Sequence, residues 1–325
     1  MILFAIILFL KKNPEIVEIY YSNLFYKKLS ISKNIIFDLT NFAFGELLYF
    51  SFVCGLFFFL FRRAVSINYL ASSALIVVYF FYISWGINYF RRPLITSISQ
   101  KVIVNENKME ALTRFISIKC NKLKNEINSK KTKNKNNLKS YKYLIESRNQ
   151  KFKYSNFSII LSGMGIKGYY NPFTNEANVN SKIPEVLVPV TIYHELAHKN
   201  GFASESDANF IGFFNAYNNY NTEIQYSACF FAFRYLYNDL YKMNPNSAKE
   251  IYESLNSDVK SDFLAVSNFW MYHSNRYQIF QKYIFDFFLK AQGQKEGINS
   301  YNEVVKLLLL TFDGKSKFIL NEYNK

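Results

Sequence analysis

Two long apolar stretches dominate the first third of the chain. Residues 42–61 contain one charge, Glu46, and residues 67–90 contain none. A helix of about 20 apolar residues is long enough to cross a bilayer, and Trp85 lies near the end of the second stretch, as in an interfacial aromatic belt. The pattern predicts a helical hairpin in a membrane. Two buried core helices are the less favoured alternative.

A shorter apolar stretch, residues 1–10, begins the chain. It is too short to span a bilayer, and no small-residue cleavage site follows it, so we interpret it as a shortened anchor helix rather than a cleaved signal. Charge does not decide the orientation of the anchor. The hairpin loop carries two arginines, which favours a cytoplasmic turn, while residues 11–40 carry five lysines, which favour the opposite side.

The region between the anchor and the C-terminal half is strongly basic. Residues 109–128 have the pattern of an amphipathic helix, and residues 129–140 are rich in Lys and Asn. The chain has a net charge of +15, of which residues 119–155 contribute +10, while residues 156–325 have a net charge of −1. We interpret residues 96–155 as a juxtamembrane helix with a solvated linker. An arm for anionic lipid is a less favoured alternative, and nucleic acid is not expected as a partner because no aromatic residues alternate with the lysines.

The C-terminal half has the pattern of a small sheet followed by helices. Short apolar runs separated by Gly, Pro and Asn precede residue 189 and indicate strands, including 176–180. The fold class is therefore mainly α (α+β), with an anchor (1–95), a linker (96–155) and a catalytic domain (156–325). Half of the residues are hydrophobic, which excludes a disordered chain, and the three scattered cysteines exclude a disulfide scaffold. Predicted helices cover residues 189–199, 205–218, 223–243, 247–256, 259–291 and 300–312.

Candidate chemistry is concentrated in the sequence YHELAHKNG. His198 lies four positions after His194. This spacing places both imidazoles on one face of a helix, where they can bind one Zn²⁺. Glu195 is then the general base for a zinc-activated water. Ordinary surface histidines are the less favoured alternative. The third histidine of the chain, His273, is interpreted as a hydrogen-bonded helix residue rather than a ligand.

A catalytic zinc ion needs a third protein ligand. Beyond Gly201, which ends the helix, Glu205 and Asp207 are the available carboxylates. Ser204 and Asp207 fit a helix capping box, so Glu205 is the preferred ligand and Asp207 the alternative. Asn209 lies four positions after Glu205, on the same helix face. We expect it to orient a histidine ligand without contacting the metal itself.

The sequence HELAH, followed by Gly and then ESDANF, resembles zinc-dependent metallopeptidases of the gluzincin type. It is more closely similar to a bacterial family of membrane-anchored HExxH proteins of unassigned function. The resemblance implies that His194, His198 and Glu205 are zinc ligands and that Glu195 is the base. The family has a second acid at the position of Asp207, so the third ligand stays open. The stretches that carry the resemblance are 85–94, 168–180, 191–210, 226–240 and 289–309.

Members of that family start with a basic segment and a full first membrane helix, which implies a bacterial cytoplasmic-membrane protein with an extracytoplasmic catalytic domain. This chain lacks the basic start, so its orientation stays open. In zincins an edge strand before the active-site helix binds the substrate backbone, and residues 176–180, including Asn178, are expected to provide it, with a plain hairpin strand as the equal alternative. Tyr170, Tyr226 and Arg234 are unranked candidates for stabilising the oxyanion.

Taken together, the sequence predicts an integral membrane zinc metallopeptidase that hydrolyses peptide or protein substrates. The alternative is a membrane-anchored binding or scaffold protein whose zinc site is structural or vestigial.

Overall fold

The computed structural model describes residues 2–61, 66–97, 104–131, 141, 145, 150–274, 276–292 and 301–312. These residues form a mainly helical fold with one three-stranded sheet, which confirms the predicted fold class at that level. The helices that precede the sheet are Ile2–Lys12, Pro14–Ile16, the π-helix Val17–Tyr26, Lys27–Phe37, Phe44–Phe61, Ile67–Ser84, the 3₁₀-helix Gly86–Phe90, Leu94–Ser97 and Glu106–Lys131. The helices that come after its first strand are Ser158–Gly163, the 3₁₀-helix Glu185–Leu187, Val188–Lys199, Glu205–Tyr217, Thr222–Met243, Pro245–Glu253, Ser257–His273, Arg276–Ala291 and Tyr301–Leu310.

The two long apolar stretches form helices of 18 residues each, Phe44–Phe61 and Ile67–Ser84. The predicted continuous segment 67–90 is wrong, because the helix ends at Trp85 (φ −168°, ψ −34°) and a 3₁₀-helix follows. The Trp85 indole Nε1 donates to the backbone oxygen of His198 at 2.9 Å, so this break is tied to the C-terminal half of the chain.

The length of the two apolar helices bears on the prediction of a membrane hairpin. Among the described residues, no single helix is both long and apolar enough to cross a bilayer. One pair of helices bent by 63°, Ala71–Ser84 and Gly86–Thr96, reaches that length and composition, and Phe44–Phe58 is a shorter apolar helix. Many apolar side chains of both stretches are nevertheless exposed, among them Phe57 at 67% and Ile76 at 68%.

The helix Phe44–Phe61 begins on the surface of the sheet. The buried carboxylate of Glu176 accepts hydrogen bonds from the backbone nitrogens of Phe44 (3.0 Å) and Gly45 (2.7 Å). A carboxylate is favourable there because the N-terminus of a helix carries unpaired N–H groups and partial positive charge. Lys153 forms a buried ion pair with Glu176 at 2.5 Å. The helix is therefore anchored to the C-terminal half through its polar start.

The N-terminal helices also pack against that half. The hydroxyl of Tyr26 is buried and donates to the backbone oxygen of Lys199 at 2.7 Å, and it lies 3.1 Å from the hydroxyl of Tyr170. Tyr21 and Val17 bury their side chains in the same cluster as Trp85. Residues 17–37 thus belong to the packing around the candidate site and do not form a separate anchor.

The amphipathic helix predicted over 109–128 is present as Glu106–Lys131. Its apolar positions recur at helical spacing and are buried in the main hydrophobic core together with residues of the helix Thr222–Met243. The expected boundary near residue 155 therefore does not separate two packing units. The Lys-rich segment 132–140 lies outside the described residues.

The sheet contains β1 (Lys153–Tyr154), β2 (Gly168–Asn171) and β3 (Glu176–Val179) in the order β1-β3-β2. β3 pairs with β1 in parallel and with β2 in antiparallel orientation. The expectation that residues 176–180 form an edge strand is therefore wrong, because β3 is the central strand and its backbone is paired on both sides. β2 lies at an edge of the described sheet.

The C-terminal helices follow the predicted boundaries closely, with one correction. The predicted helix 259–291 is interrupted, because Ser274 adopts an extended conformation (ψ 131°) and ends the helix Ser257–His273. The helix Pro245–Glu253 is capped by Asn244, whose side chain accepts from the backbone nitrogen of Ser247. The predicted cap of the helix Glu205–Tyr217 is confirmed, since Ser204 accepts from the backbone nitrogen of Asp207.

Candidate metal centre

The HExxH sequence lies on the helix Val188–Lys199, which we call the motif helix. Its residues are buried on nearly all sides, so it is a core helix. It ends at Gly201, whose φ of +85° lies in the left-handed region that glycine adopts without steric cost. This turn brings the chain back across the end of the helix, and the backbone oxygen of Phe202 lies 2.7 Å from Nδ1 of His198.

The next helix, Glu205–Tyr217, crosses the motif helix at very short distance. A Cβ placed on Gly212 would lie 2.9 Å from the backbone nitrogen of His194 and 3.0 Å from its Cα. Only a glycine allows the two backbones to approach this closely. Because one helix carries both histidines and the other begins with Glu205, this crossing sets the distance between the candidate ligands.

Three donor groups converge at this crossing. Nε2 of His194 and Nε2 of His198 lie 3.1 Å apart. The carboxylate of Glu205 lies 3.5 Å from each, with Oε2 towards His194 and Oε1 towards His198. A tetrahedral zinc ion with ligand bonds of about 2.0–2.2 Å places neighbouring ligand atoms about 3.3–3.5 Å apart. The two imidazoles and the carboxylate therefore fit a zinc ion with a fourth position left for another ligand.

A hydrogen bond fixes the orientation of the His198 imidazole. Its Nδ1 donates to the backbone oxygen of Phe202, which leaves the lone pair of Nε2 for a metal. Nδ1 of His194 and Nδ2 of Asn209 have no hydrogen-bond partner among the described residues. Burial, the largest effect, and the charge of His198 lower the pKa of His194 to about 3, while Asn209 acts in the opposite direction. Asn209 thus lies near His194, and its role in orienting this histidine stays a prediction.

Without a metal, His198 and Glu205 form a buried pair of opposite charges. Burial alone would lower the pKa of His198, but the hydrogen bond and the charge of Glu205 outweigh it and raise the pKa. Burial would likewise raise the pKa of Glu205, but His198 outweighs it and lowers the pKa. Occupation by a dication would therefore release the proton held by His198.

Glu195 lies close to both histidines. One donor atom from each of His194, Glu195 and His198 lies within 4.8 Å of the others. The Glu195 side chain packs on Gly168, where an added Cβ would lie 2.8 Å from Oε1. Its Oε2 has no hydrogen-bond partner among the described residues. Burial raises the pKa of Glu195 to about 8. Because the Glu205 carboxylate contacts both imidazoles, it is the candidate third ligand, and Glu195 stays the candidate base.

A cavity of about 1170 Å³ opens onto these groups. Its wall includes His194, His198, Glu195 and Glu205, and Trp85 from the end of the second apolar stretch. A cavity of this size accommodates a peptide segment. The centre is thus accessible from a space large enough for a substrate.

Asp207, the alternative ligand, points away from the histidines. Its carboxylate accepts from the backbone nitrogen of Leu94, at 3.3 and 3.4 Å for its two oxygens. Burial raises the pKa of Asp207 to about 7, although the Leu94 bond and the charge of Arg91 act in the opposite direction. Its position is that of a structural residue.

The other candidate residues are dispersed. Asn178 is buried in the central strand β3 and does not line the cavity. Tyr170 lines the cavity, but its hydroxyl donates to Asn175 Oδ1 at 2.6 Å. Tyr226 donates to Asp262 at 2.6 Å, away from the cavity, and Arg234 lines the cavity. His273 is remote from the site, and its Nδ1 lies 2.9 Å from the backbone oxygen of Phe269, as expected for a hydrogen-bonded helix histidine.

Two residues of the site were missed. Lys167 lines the cavity beside Glu195 and Glu205, and Gly168 provides the surface on which Glu195 packs. The glycine at the start of a predicted strand was a signal for a close approach of another group. A single lysine in a basic chain carries no such signal.

Substitution of Gly212 with alanine should destabilise the protein and weaken metal binding, since the added methyl group forces the motif helix and the helix Glu205–Tyr217 apart. We expect a loss of about 1–3 kcal/mol in the free energy of unfolding, measured by chemical denaturation of the metal-free protein, together with a lower zinc affinity. Gly55→Ala is the matched control, because nothing lies within 4 Å of a Cβ at Gly55. Equal zinc affinity in Gly212→Ala and Gly55→Ala would contradict the role of this crossing.

The comparisons with known proteins concern the whole chain. The model of a family described as a protein of unknown function (DUF3810) matches residues 21–309, which include the apolar helices and the metal centre. Neither the curated proteins nor the solved structures contain a match. The family match covers most of the chain, and the chain therefore belongs to the DUF3810 family of proteins of unknown function.

Proposed function

We propose that the chain is a membrane-associated, zinc-dependent metallopeptidase that hydrolyses peptide bonds. The observation that carries the proposal is the triangle formed by Nε2 of His194, Nε2 of His198 and the Glu205 carboxylate, with separations of 3.1, 3.5 and 3.5 Å. Two neutral imidazoles and one carboxylate are a ligand set used by catalytic zinc sites, which leave the remaining position to water or substrate.

A bound zinc ion would supply Lewis acidity towards the scissile carbonyl and would lower the pKa of a water molecule. The protein residues supply the proton transfer and the orientation. Glu195 accepts the proton of the attacking water at a carboxylate oxygen and returns it to the nitrogen of the leaving amine. The backbone oxygen of Phe202 holds the His198 imidazole in place.

We assign the binding of the substrate backbone to β2 (Gly168–Asn171). This strand lies at an edge of the described sheet, and Gly168, Tyr169 and Tyr170 line the cavity. An edge strand can bind an extended peptide by adding it to the sheet. Because Gly168 contacts Glu195, a peptide on β2 would pass directly beside the base.

We also propose that the lipid bilayer is a partner of the chain. The supporting observation is the exposed apolar surface of the helices Phe44–Phe61 and Ile67–Ser84, which is larger than single exposed residues explain. The bacterial cytoplasmic membrane, with the catalytic domain on the extracytoplasmic side, stays the predicted location.

The scaffold alternative predicts a closed metal site. Structural zinc sites are usually saturated by four protein ligands, whereas catalytic sites keep one position open. At this centre His194, Glu195 and Glu205 all line the large cavity. The open cavity favours the peptidase.

The proposal is tested by metal removal. Treatment of the full-length protein in detergent with 1,10-phenanthroline should abolish hydrolysis of a fluorogenic peptide library, and stoichiometric Zn²⁺ should restore it. Zinc binding should also raise the melting temperature of the metal-free protein, because a ligand that binds only the folded state stabilises it. Zinc-dependent stabilisation without hydrolysis of any peptide would support the scaffold alternative.

A further inference from the structure

Two cationic side chains from different elements line the cavity. Lys167 immediately precedes β2, and Arg234 lies on the helix Thr222–Met243. Both are partly buried, and Arg234 has a pKa lowered by burial. Arg234 was a candidate for stabilising the oxyanion, whereas Lys167 was not singled out in the sequence.

Neither cation has a hydrogen-bond or ion-pair partner within the described part of the chain. Several other partly or fully buried cations among the described residues are paired with carboxylates. Lys153 contacts Glu176 at 2.5 Å, Lys199 contacts Asp38 at 3.0 Å, and Arg91 contacts Glu18 at 2.7 Å. Removing a charge from water without a partner costs free energy, so an unpaired pair of cations in a cavity wall indicates a missing anion.

The two cations also act on each other. Burial is the largest cause that lowers the pKa of Lys167, to about 8, and the positive charge of Arg234 is the second. The charges of Glu205 and Glu195 act on Lys167 in the opposite direction, but neither carboxylate lies within ion-pair distance of it. Glu205 contacts the two histidines, and Glu195 packs on Gly168. A bound molecule with an anionic group would therefore complete the pairing of these cations.

The position of Lys167 relates this anion to the reaction centre. Lys167 is adjacent in sequence to Gly168, against which the Glu195 carboxylate packs. An anion held by Lys167 would thus lie next to the bond that Glu195 acts on. In a peptide, that anion is a carboxylate, either of the free C-terminus or of an acidic side chain.

We propose that Lys167 and Arg234 form a carboxylate-binding subsite, which selects peptides that carry a carboxylate adjacent to the cleaved bond. The inference rests on the proposed peptidase function for its reaction, but the binding itself can be measured without hydrolysis. Arginine offers a planar pair of N–H donors and lysine a point charge, and together they suit a carboxylate.

The test measures binding to zinc-loaded, full-length Glu195→Gln protein in detergent. The first probe pair is a dansylated tetra-alanine peptide with a free C-terminal carboxylate or with a carboxamide. The second pair has an amidated C-terminus and contains either glutamate or glutamine. Fluorescence anisotropy should give a Kd about tenfold or more lower for the carboxylate member of one pair. Preference in the first pair identifies a C-terminal carboxylate, and preference in the second identifies an acidic side chain.

Added substitutions show whether the two cations cause this preference. Lys167→Met and Arg234→Met should each remove most of it, while Lys167→Arg should retain it. Lys260→Met is the matched control, because Lys260 pairs with Glu253 on the surface. A preference that survives both methionine variants would assign the carboxylate to the zinc ion and overturn the proposal. Equal binding of both members in both probe pairs would also overturn it. Zinc content, measured for every variant, excludes loss of the metal as the cause.

Kinetics of the protein with Glu195 intact separate this role from oxyanion stabilisation. Loss of a subsite residue raises KM for the carboxylate peptide more than for the amidated peptide, whereas loss of an oxyanion donor lowers kcat for every substrate. Carboxylate preference in binding without any hydrolysis would remove the peptidase proposal and leave the subsite. Hydrolysis of both members of each pair at equal kcat/KM would remove the subsite and leave the peptidase.

Discussion

Replacement of Glu195 with glutamine is expected to lower kcat/KM for peptide hydrolysis by about a thousandfold or more, while the zinc content stays at the wild-type level. The amide has nearly the same shape as the carboxylate and preserves the packing on Gly168. It cannot accept a proton from the attacking water. Because the proposed ligand set consists of Glu205 and the two histidines, the loss of the Glu195 charge should leave that set intact.

The control for this variant is Glu185→Gln, which makes the same chemical change at an exposed position just before the motif helix. It should retain both zinc and activity. Metal content is measured by inductively coupled plasma mass spectrometry, and activity with the peptide library. Loss of zinc in Glu195→Gln would make Glu195 a ligand, and wild-type activity would exclude it as the base.

The second large effect is expected for Glu205→Ala, which removes the carboxylate between the two imidazoles. Its zinc affinity should fall by more than about a hundredfold. Loss of a residue that only hydrogen-bonds to a metal ligand typically lowers the affinity by about 10- to 100-fold, so a larger decrease indicates loss of a ligand. The Glu205 oxygens lie 3.5 Å from both Nε2 atoms, and no other carboxylate of the described residues forms an ion pair with either histidine. Hydrolysis should be lost together with the metal.

Asp207→Asn is the matched control for Glu205→Ala. It removes the other acid that the sequence offered as a ligand and keeps an acceptor for the backbone nitrogen of Leu94. It should retain zinc and activity. Competition with a fluorescent chelator gives both affinities, and zinc loss in Asp207→Asn with retention in Glu205→Ala would reverse the assignment.

The convergence of the candidate ligands could be predicted because its information is local. The spacing of His194 and His198 defines one face of a helix, and Ser204 marks the start of the next helix, on which Glu205 and Asp207 take different positions. The same rules found the boundaries of most C-terminal helices. They failed at Ser274, where one extended residue interrupts an apolar pattern that continues on both sides.

The surroundings of the site could not be predicted, because they come from residues distant in sequence. Trp85 donates to the backbone oxygen of His198 across 113 positions, and Tyr26 reaches Lys199 across 173. Helical periodicity describes neither contact. The sequence also placed the helix Glu106–Lys131 in a juxtamembrane region, although apolar side chains of that helix are buried in the main core.

The two apolar stretches also make contacts that their sequence does not predict. Their composition predicts a membrane hairpin, but the end of the second one is shaped by its contact with the motif helix at Trp85. Glu176 fixes the start of the first one to the sheet. The segments expected to anchor the protein thus also hold the candidate site together.

X-ray absorption spectroscopy at the zinc edge of the full-length protein tests the central claim most directly. We predict one zinc ion per chain with two imidazole nitrogens and one or more oxygens at about 2.0–2.2 Å, and no sulfur ligand. The imidazole contribution should disappear in a His194→Ala, His198→Ala double variant. A chain that binds no zinc, or a zinc ion whose spectrum shows no imidazole or includes sulfur, would contradict the account.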